Sequence, residues 1–153
     1  MPRTSAGIAL FRRRPAGLEV LLVHPGGPFW AKKDDGAWSF PKGEFTDGED
    51  PLACALRELE EETGCRAEGV PIPLGEVQQK AGKIVHLWAI EGDCDASAIR
   101  SNTFMMEWPP RSGRQQPFPE VDRAGWFAPD DARRKLLDAQ RVFVDRLLAA
   151  TQS

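Results

Sequence analysis

Between positions 58 and 62 the chain sets four glutamates, Glu58, Glu60, Glu61 and Glu62, directly after Arg57 and around a single leucine, Leu59. Asp50-Pro51 stands upstream as an N-cap followed by proline at the first helical position, and Gly64 stands downstream as a C-terminal stop. The segment is therefore predicted as a helix from Pro51 to Thr63. With a turn of ~100° per residue, Glu62 lies about 40° to one side of Glu58 and Glu61 about 60° to the other, while Glu60 points elsewhere. Leu52, Leu56, Leu59 and Thr63 fall on a neighbouring arc, with Ala55 at its edge. Three carboxylates thus share a stripe beside the face that must pack on the rest of the chain. Like charges one turn apart destabilise a helix by about 0.2–0.5 kcal/mol per pair, and acids in a last turn oppose the helix dipole. Something must neutralise them. Arg57 and a hard divalent cation, magnesium or manganese, are the candidates, and a solvated acidic face is the alternative reading of the run taken alone.

The surroundings of this helix read as a sheet. Ser5 to Arg12 and Leu18 to His24 are β-rich runs joined through Arg13-Arg14-Pro15-Ala16-Gly17, a hairpin pattern. A glycine- and proline-rich loop from Pro25 to Gly36 follows, then a short strand Trp38-Ser39-Phe40 stopped by Pro41. Beyond the helix, Leu74 to Lys80 and Lys83 to Glu91 form a second pair turned at Ala81-Gly82, and Phe104 to Trp108 is a further strand. Pro109 to Asp122 is expected to be a long polar loop and Ala124 to Phe127 a last strand. From Asp130 to Ala150 the apolar spacing is helical, with a break near Asp138. The length of 153 residues argues for a single domain spanning 1–153, and strands grouped around helices give an α/β class with a mixed sheet between helices.

Composition narrows the functional classes. The chain is 41% hydrophobic and 28% charged with a formal net charge of −3, so a module that binds polyanions by bulk charge is not expected, and nucleic acid is disfavoured as a partner. Three cysteines, Cys54, Cys65 and Cys94, form no CxxC pair, which disfavours a disulfide framework or a structural zinc and fits a reducing cytoplasm. Met1 to Ala9 shows no apolar signal core, and the apolar runs are only a few residues long, so no membrane span is expected.

The acidic run belongs to a longer pattern. Gly43 is followed after five residues by Glu49, and after seven more by Arg57-Glu58-Leu59-Glu60-Glu61-Glu62-Thr63-Gly64-Cys65. This resembles the Nudix box, G-x5-E-x7-R-E-U-x-E-E-x-G-U with U a bulky aliphatic residue, at all seven fixed letters. The one departure is Cys65 at the last aliphatic position, where a cysteine packs as a small hydrophobe. The resemblance implies an α/β/α sandwich whose loop–helix–loop site hydrolyses a nucleoside diphosphate linked to another moiety by attack of water on phosphorus, with magnesium, or manganese, as cofactor. It makes Glu58, Glu61, Glu62 and the Gly43 carbonyl the metal ligands. Glu49 and Arg57 then hold those ligands in place, Arg57 by pairing with carboxylates. A carboxylate near the attacking water serves as general base. Glu61 is the first choice, at the edge of the stripe, with Glu120 and Glu107 as rivals from later loops.

Around the box, Trp38-Ser39-Phe40-Pro41-Lys42-Gly43-Glu44 carries a Pro-Lys-Gly similar to the branch acting on diadenosine and diphosphoinositol polyphosphates. Lys42 is thereby expected to touch phosphate, while Lys32 and Lys33 divide evenly between the same mouth and an ordinary solvated loop. In Trp108-Pro109-Pro110-Arg111-Ser112-Gly113-Arg114, the guanidinium forks of Arg111 and Arg114 suit a distal phosphate. His86 alternates with Ile84 and Trp88, which fits a packed or pocket-wall residue better than a ligand. Trp30, Trp38, Trp88 and Trp108 are equally suited to stacking on a base or to filling the core. Cys54 reads as packing. The substrate expected is a small nucleotide, by preference a dinucleoside polyphosphate, acted on by a cytoplasmic monomer or homodimer. Sanitation of modified nucleoside triphosphates is the alternative, and a nucleotide-binding sensor that performs no chemistry is the alternative of another class.

Overall fold

The computed structural model describes residues 3–151. Strand β1 (Thr4–Arg14) turns through Pro15-Ala16 into β2 (Gly17–Pro25); β3 (Lys42–Glu44) leads to helix α1 (Pro51–Thr63). Strands β4 (Ile72–Gln78) and β5 (Ile84–Glu91) follow, then β6 (Thr103–Glu107), β7 (Gln115–Pro119) and β8 (Val121–Phe127), and finally helices α2 (Pro129–Lys135) and α3 (Val142–Thr151).

β1 is the axis of the main sheet, whose order is β4-β5-β1-β2-β8. It runs parallel to β5 from Thr4 opposite Ile84 to Phe11 opposite Glu91. Its other edge is shared: β2 pairs with it antiparallel at Phe11 to Arg14, and β3 pairs with it antiparallel at Ser5 to Gly7. The segment 37–41 crosses this fork, with the Ile8 N–H donating to the Pro41 carbonyl at 3.1 Å and Val23 and Ser39 exchanging backbone bonds. A mixed sheet with helices on both faces is the architecture expected from the sequence.

The two-residue period of the strands sorts the core onto those faces. Ala6, Ile8 and Leu10 of β1, with Leu21 of β2 and Ile90 of β5, meet Ala55 and Leu59 of α1. Ala9, Phe11, Val20, Leu22 and Leu87 point the other way, onto Ala132, Leu136, Phe143 and Leu147 of the C-terminal helices. The cap geometry of α1 follows the sequence: the Asp50 carboxylate accepts from the Ala53 N–H at 3.0 Å, and Gly64 closes the helix in the left-handed region at φ 78°.

Several expectations are corrected. Trp38–Phe40 does not form a strand but makes single bridges, Ser39 to Val23 and Trp38 to Leu136, and the strand lies just beyond Pro41. The stretch Pro109–Asp122 is not a loop throughout: it contains β7 and the start of β8. Pro117 and Pro119 hide β7 because proline argues against a ladder, yet prolines two apart lie on the same side of a strand and can both sit where no bond is needed. The predicted break near Asp138 is a 3-10 turn, Asp138–Gln140, between α2 and α3. Cys65 and Cys94 pair as a disulfide with Cα atoms 6.0 Å apart, tying the end of α1 to the chain after β5. An odd count of cysteines leaves one over but does not say which two meet, so cysteine usage no longer argues for a reducing compartment. Cys54 remains free and buried. No helix among the described residues is long and apolar enough to cross a membrane.

Gln140 pins the two halves of the C-terminal layer to the fork. Fully buried, it accepts from the Phe40 N–H at 3.1 Å and donates to Gln79 at 2.9 Å and Ser39 at 3.1 Å. Replacing it with leucine leaves the buried Phe40 N–H without its acceptor, and an orphaned buried polar group costs about 1–3 kcal/mol. Gln140→Leu is expected to lower the unfolding free energy by about 2 kcal/mol, measurable by urea denaturation; an unchanged midpoint contradicts the anchoring role.

Candidate active site

The last two turns of α1, strand β3 and the junction between β7 and β8 bring four carboxylates into mutual influence. Glu62 is buried at 9% exposure, and its Oε2 accepts from the Lys42 N–H at 2.8 Å. Burial, reinforced by the charge of Glu58, pushes its carboxyl up to about 8 in spite of that bond. Burial and the charge of Glu61 likewise raise Glu58, with Arg57 opposing. Glu120 is raised by burial and by Glu61. Gly43 leaves room for this arrangement: a Cβ on it would overlap the Glu58 carboxyl group and displace it from its place.

Arg57 spans the stripe. It bonds Glu49 at 2.9 Å and lies 3.6 Å from Glu58 and 3.7 Å from Glu61. The Thr46 N–H and this guanidinium hold the Glu49 carboxyl below its ordinary range. Cys54 packs beneath, its Sγ 3.7 Å from the Gly43 carbonyl, and burial pushes the thiol up, away from thiolate reactivity.

A cleft of about 210 Å³ opens at this place, lined by Lys42, Glu62 and Glu120 with Trp30, Ser39 and Leu137. Lys42 is drawn down by burial, and the charge of Lys83 pushes it the same way against the pull of Glu62. Lys83 is a functional candidate that the sequence reading passed over; its one signal was a lysine at the mouth of a strand opening next to Ala81-Gly82. Beyond Leu137 lies a larger recess of about 670 Å³ with Lys80, Lys83, Gln78 and Gln79 on its wall.

Glu61 and Glu120 therefore lie within electrostatic reach of each other, whereas Glu107 is on the exposed outer face of the β6–β7 hairpin. Arg111 and Arg114 sit in the turn of that hairpin, Arg111 with φ 61°, and neither lines the cleft. Among the tryptophans, Trp38 is core, edge-on to His24 and Phe127, and Trp88 packs with the α1 layer. Only Trp30 lines the cleft. His86 lies 3.4 Å from Glu76 on the neighbouring strand.

Among the described residues no three acidic, histidine or cysteine side chains close on one point as a ready-made ion cage. The carboxylates instead turn to Arg57 and to the Lys42 N–H. Their chemistry nonetheless fits a hard cation. The donors are all oxygen, and three of the four carboxyls are biased toward their neutral forms by burial and each other, a bias that a divalent ion would remove.

That bias has a measurable consequence. A carboxyl whose folded value lies above its unfolded one contributes stability that is complete below the unfolded value and is lost as pH rises through the folded one. For Glu62 the window runs from its ordinary 4.5 to about 8. Without divalent ions, thermal stability is expected to fall across that window, and Glu62→Gln to flatten the fall. Magnesium, which needs the ionised form, is expected to stabilise the protein more at the alkaline end. Melting curves in EDTA and in magnesium test this, and a wild-type profile indistinguishable from that of Glu62→Gln contradicts it.

The family model for the NUDIX domain matches residues 1–147. The chain is 43% identical to the RNA pyrophosphohydrolase of Pseudoalteromonas translucida over 54 residues, which is 35% of the chain and 31% of that protein. It thus spans only about a third of that relative's length. Among solved structures, the C. elegans Ap4A hydrolase in a binary complex superposes with a TM-score of 0.67 at 20% identity, covering 95% of this chain and 96% of that one. The NUDIX domain of Shewanella oneidensis NrtR complexed with ADP ribose gives 0.69 at 17% identity, covering 99% and 90%. At these identities the structures testify to the shared fold.

Proposed function

The chain belongs to the NUDIX domain family, and from that membership we propose that it hydrolyses a phosphoanhydride bond in a nucleoside diphosphate derivative, with magnesium as its cofactor. The observation that carries the reading is that Glu62 and Glu120 line one cleft with Lys42, while Glu58 and Glu61 stand within electrostatic reach of them. The site offers a polyphosphate a cation at Lys42 and, on the other wall, the means to hold divalent ions.

In this reading Glu58, Glu61, Glu62 and the Gly43 carbonyl hold magnesium, which when bound polarises the phosphates and lowers the pKa of water. Arg57, braced by Glu49, lies within ion-pair distance of both Glu58 and Glu61 and holds them on one side of the helix. Glu61 or Glu120 takes the proton from the attacking water. Burial and the charge of Glu61 raise the proton affinity of Glu120 toward that of a base working near neutrality. Lys42 holds a phosphate oxygen on the far side, with Lys83 behind it.

The recess beyond Leu137 favours a dinucleoside polyphosphate as the preferred substrate, because its volume and two lysines leave room for a second nucleotide after the cleaved bond. A modified nucleoside triphosphate leaves that recess empty. The relatives named RNA pyrophosphohydrolase and Ap4A hydrolase support the phosphoanhydride chemistry, and abundant nucleotide and magnesium go with the cytoplasmic location expected for such work. A sensor without catalysis has no need of the full set of box glutamates retained here.

Incubating the protein with magnesium and either dinucleoside polyphosphates or nucleoside triphosphates, and resolving the products by chromatography, is expected to show faster cleavage of the former. Glu61→Gln and Glu62→Gln are each expected to lower kcat by about a hundredfold or more while circular dichroism stays unchanged. Near-normal rates in both variants would sink the assignment of these carboxylates.

A further inference from the structure

We infer that Gln79 selects the base carried by the distal half of the substrate: in the recess beyond Leu137 its side-chain amide offers donors alone, which match the O6 and N7 edge of guanine and reject adenine. The inference rests on the hydrolase reading above and names the substrate within it, so its test separates the two.

The orientation of that amide follows from a backbone group. The Phe40 N–H can only donate, so the Gln140 atom that accepts from it at 3.1 Å is the carbonyl oxygen Oε1. Gln140 Nε2 is then a donor, and it bonds Ser39 at 3.1 Å and Gln79 at 2.9 Å. The Gln79 atom that receives this bond is therefore its Oε1, which leaves Nε2 with two free hydrogens. Gln140 is fully buried, so water does not compete for the relay. Among the described residues no buried side-chain nitrogen or oxygen lacks a partner. The Gln79 Nε2, which has none there, is accordingly open to the recess that Gln79 lines.

The backbone around it is fixed as well. The Gln79 N–H donates to the Lys83 carbonyl at 2.6 Å, and the Gly82 N–H donates to the Gln79 carbonyl at 3.2 Å. This closed turn between β4 and β5 sets Lys80 and Lys83 beside Gln79 on one wall. Among the described residues neither lysine has an acidic partner within salt-bridge distance. Asp138, the one carboxylate on the lining, is drawn to Arg141 at 3.3 Å. Gly36, Leu137 and Ala139 complete the recess with apolar surface, and even a Cβ on Gly36 would meet nothing within 4 Å. Leu137 lines the carboxylate cleft too, so the two spaces adjoin.

A flat ring against the apolar part of this recess meets the amide with its edge. Guanine presents two adjacent acceptors there, O6 and N7, and one nitrogen with hydrogens to spare can serve both, as lysine does at the same edge. Adenine puts an amino group beside N7. One N–H then faces another, and donors left unpaired away from water cost more than the remaining bond contributes. Phosphate is also all acceptor, but charge-assisted bonds are the stronger ones and draw it to Lys80 and Lys83. The neutral amide, held in one orientation by three other residues, is left for a neutral edge. A polyphosphate that starts at Lys42 and passes Lys83 thus ends with its second base at Gln79.

The test compares diguanosine and diadenosine tetraphosphates as substrates of the full chain with magnesium, and as ligands by calorimetric titration in EDTA. The guanosine compound is expected to show a kcat/KM higher by about tenfold or more and to bind more tightly in the same order. Its inosine counterpart, which keeps O6 and N7 but lacks the 2-amino group, is expected to match it. Gln79→Glu still accepts from Gln140 and sets an oxygen where Nε2 stood, so it is expected to abolish or reverse the preference. Gln79→Ala is expected to abolish it, with melting curves checking that both variants fold. Equal kcat/KM for the two compounds, a preference that survives in Gln79→Glu, or inorganic tripolyphosphate competing as well as the guanosine compound overturns the inference and leaves the hydrolase reading standing. Guanosine-selective binding in EDTA without any cleavage in magnesium overturns the hydrolase reading instead. Absence of both binding and cleavage overturns both.

Discussion

Glu62 lies nearly out of water with one backbone N–H, that of Lys42, set against its charge, and Glu58 fills the space that Gly43 leaves open beside it. Burying a carboxylate without a full counter-charge is costly, and two neighbours of the same sign make it more so. A chain selected only for stability would turn these residues outward, as it does Glu60, which reaches the exposed Arg66. The energetic conflict is confined to one turn of one helix, and the rest of the fold is arranged to sustain it. β1 carries both β3 and α1, so the Lys42–Glu44 strand and the glutamates arrive from opposite sides of a single rigid support.

The helix and the later carboxylate are joined by backbone. The final carbonyls of α1 are capped from outside: Arg100 N–H donates to Thr63 and Asn102 N–H to Glu61. The Asn102 carbonyl in turn accepts from the Glu120 N–H at 2.8 Å, and the Ser101 hydroxyl accepts from the Val121 N–H at 2.9 Å. A short segment thus satisfies the orphan carbonyls of the helix and sets where Glu120 stands relative to Glu61. The Cys65–Cys94 bridge ties the same connection to the helix end a few residues earlier. Placement of a distant residue is achieved here by hydrogen bonds that the helix terminus needed in any case.

What the sequence disclosed and what it withheld divide along this line. Local signals were legible. Asp50-Pro51 and Gly64 bounded α1 to the residue, and the wheel put Glu58, Glu61 and Glu62 beside the packed face. The β1–β2 hairpin was legible, but the pairing of β3 with β1 was not, because partners far apart in the chain leave no periodic mark and a three-residue strand after proline carries almost no pattern. β7 was obscured by its own prolines, and the meeting of Cys65 with Cys94 by a separation of 29 residues. Lys83 was passed over for the same reason: only the three-dimensional fold brings it against Lys42.

A formal charge of −3 describes the chain but not the field that a ligand meets. Glu62 and Glu120 line the cleft with Lys42, Lys83 lies in the recess beyond it, and Lys32 and Lys33 follow Trp30 on the loop at its edge. The acids that would cancel the entrance cations are bound elsewhere: Asp34 and Asp35 to Lys135, Asp122 to the buried His24. Buried carboxylates short of counter-charge are unfavourable for the empty protein and favourable for a complex in which a polyphosphate and divalent ions enter together, because each relieves what the other leaves uncompensated. Phosphate draws the cations and metal draws the carboxylates, so binding one raises affinity for the other through a shared electrostatic deficit. Separation of charge, more than its total, is therefore the property of this fold from which nucleotide chemistry follows.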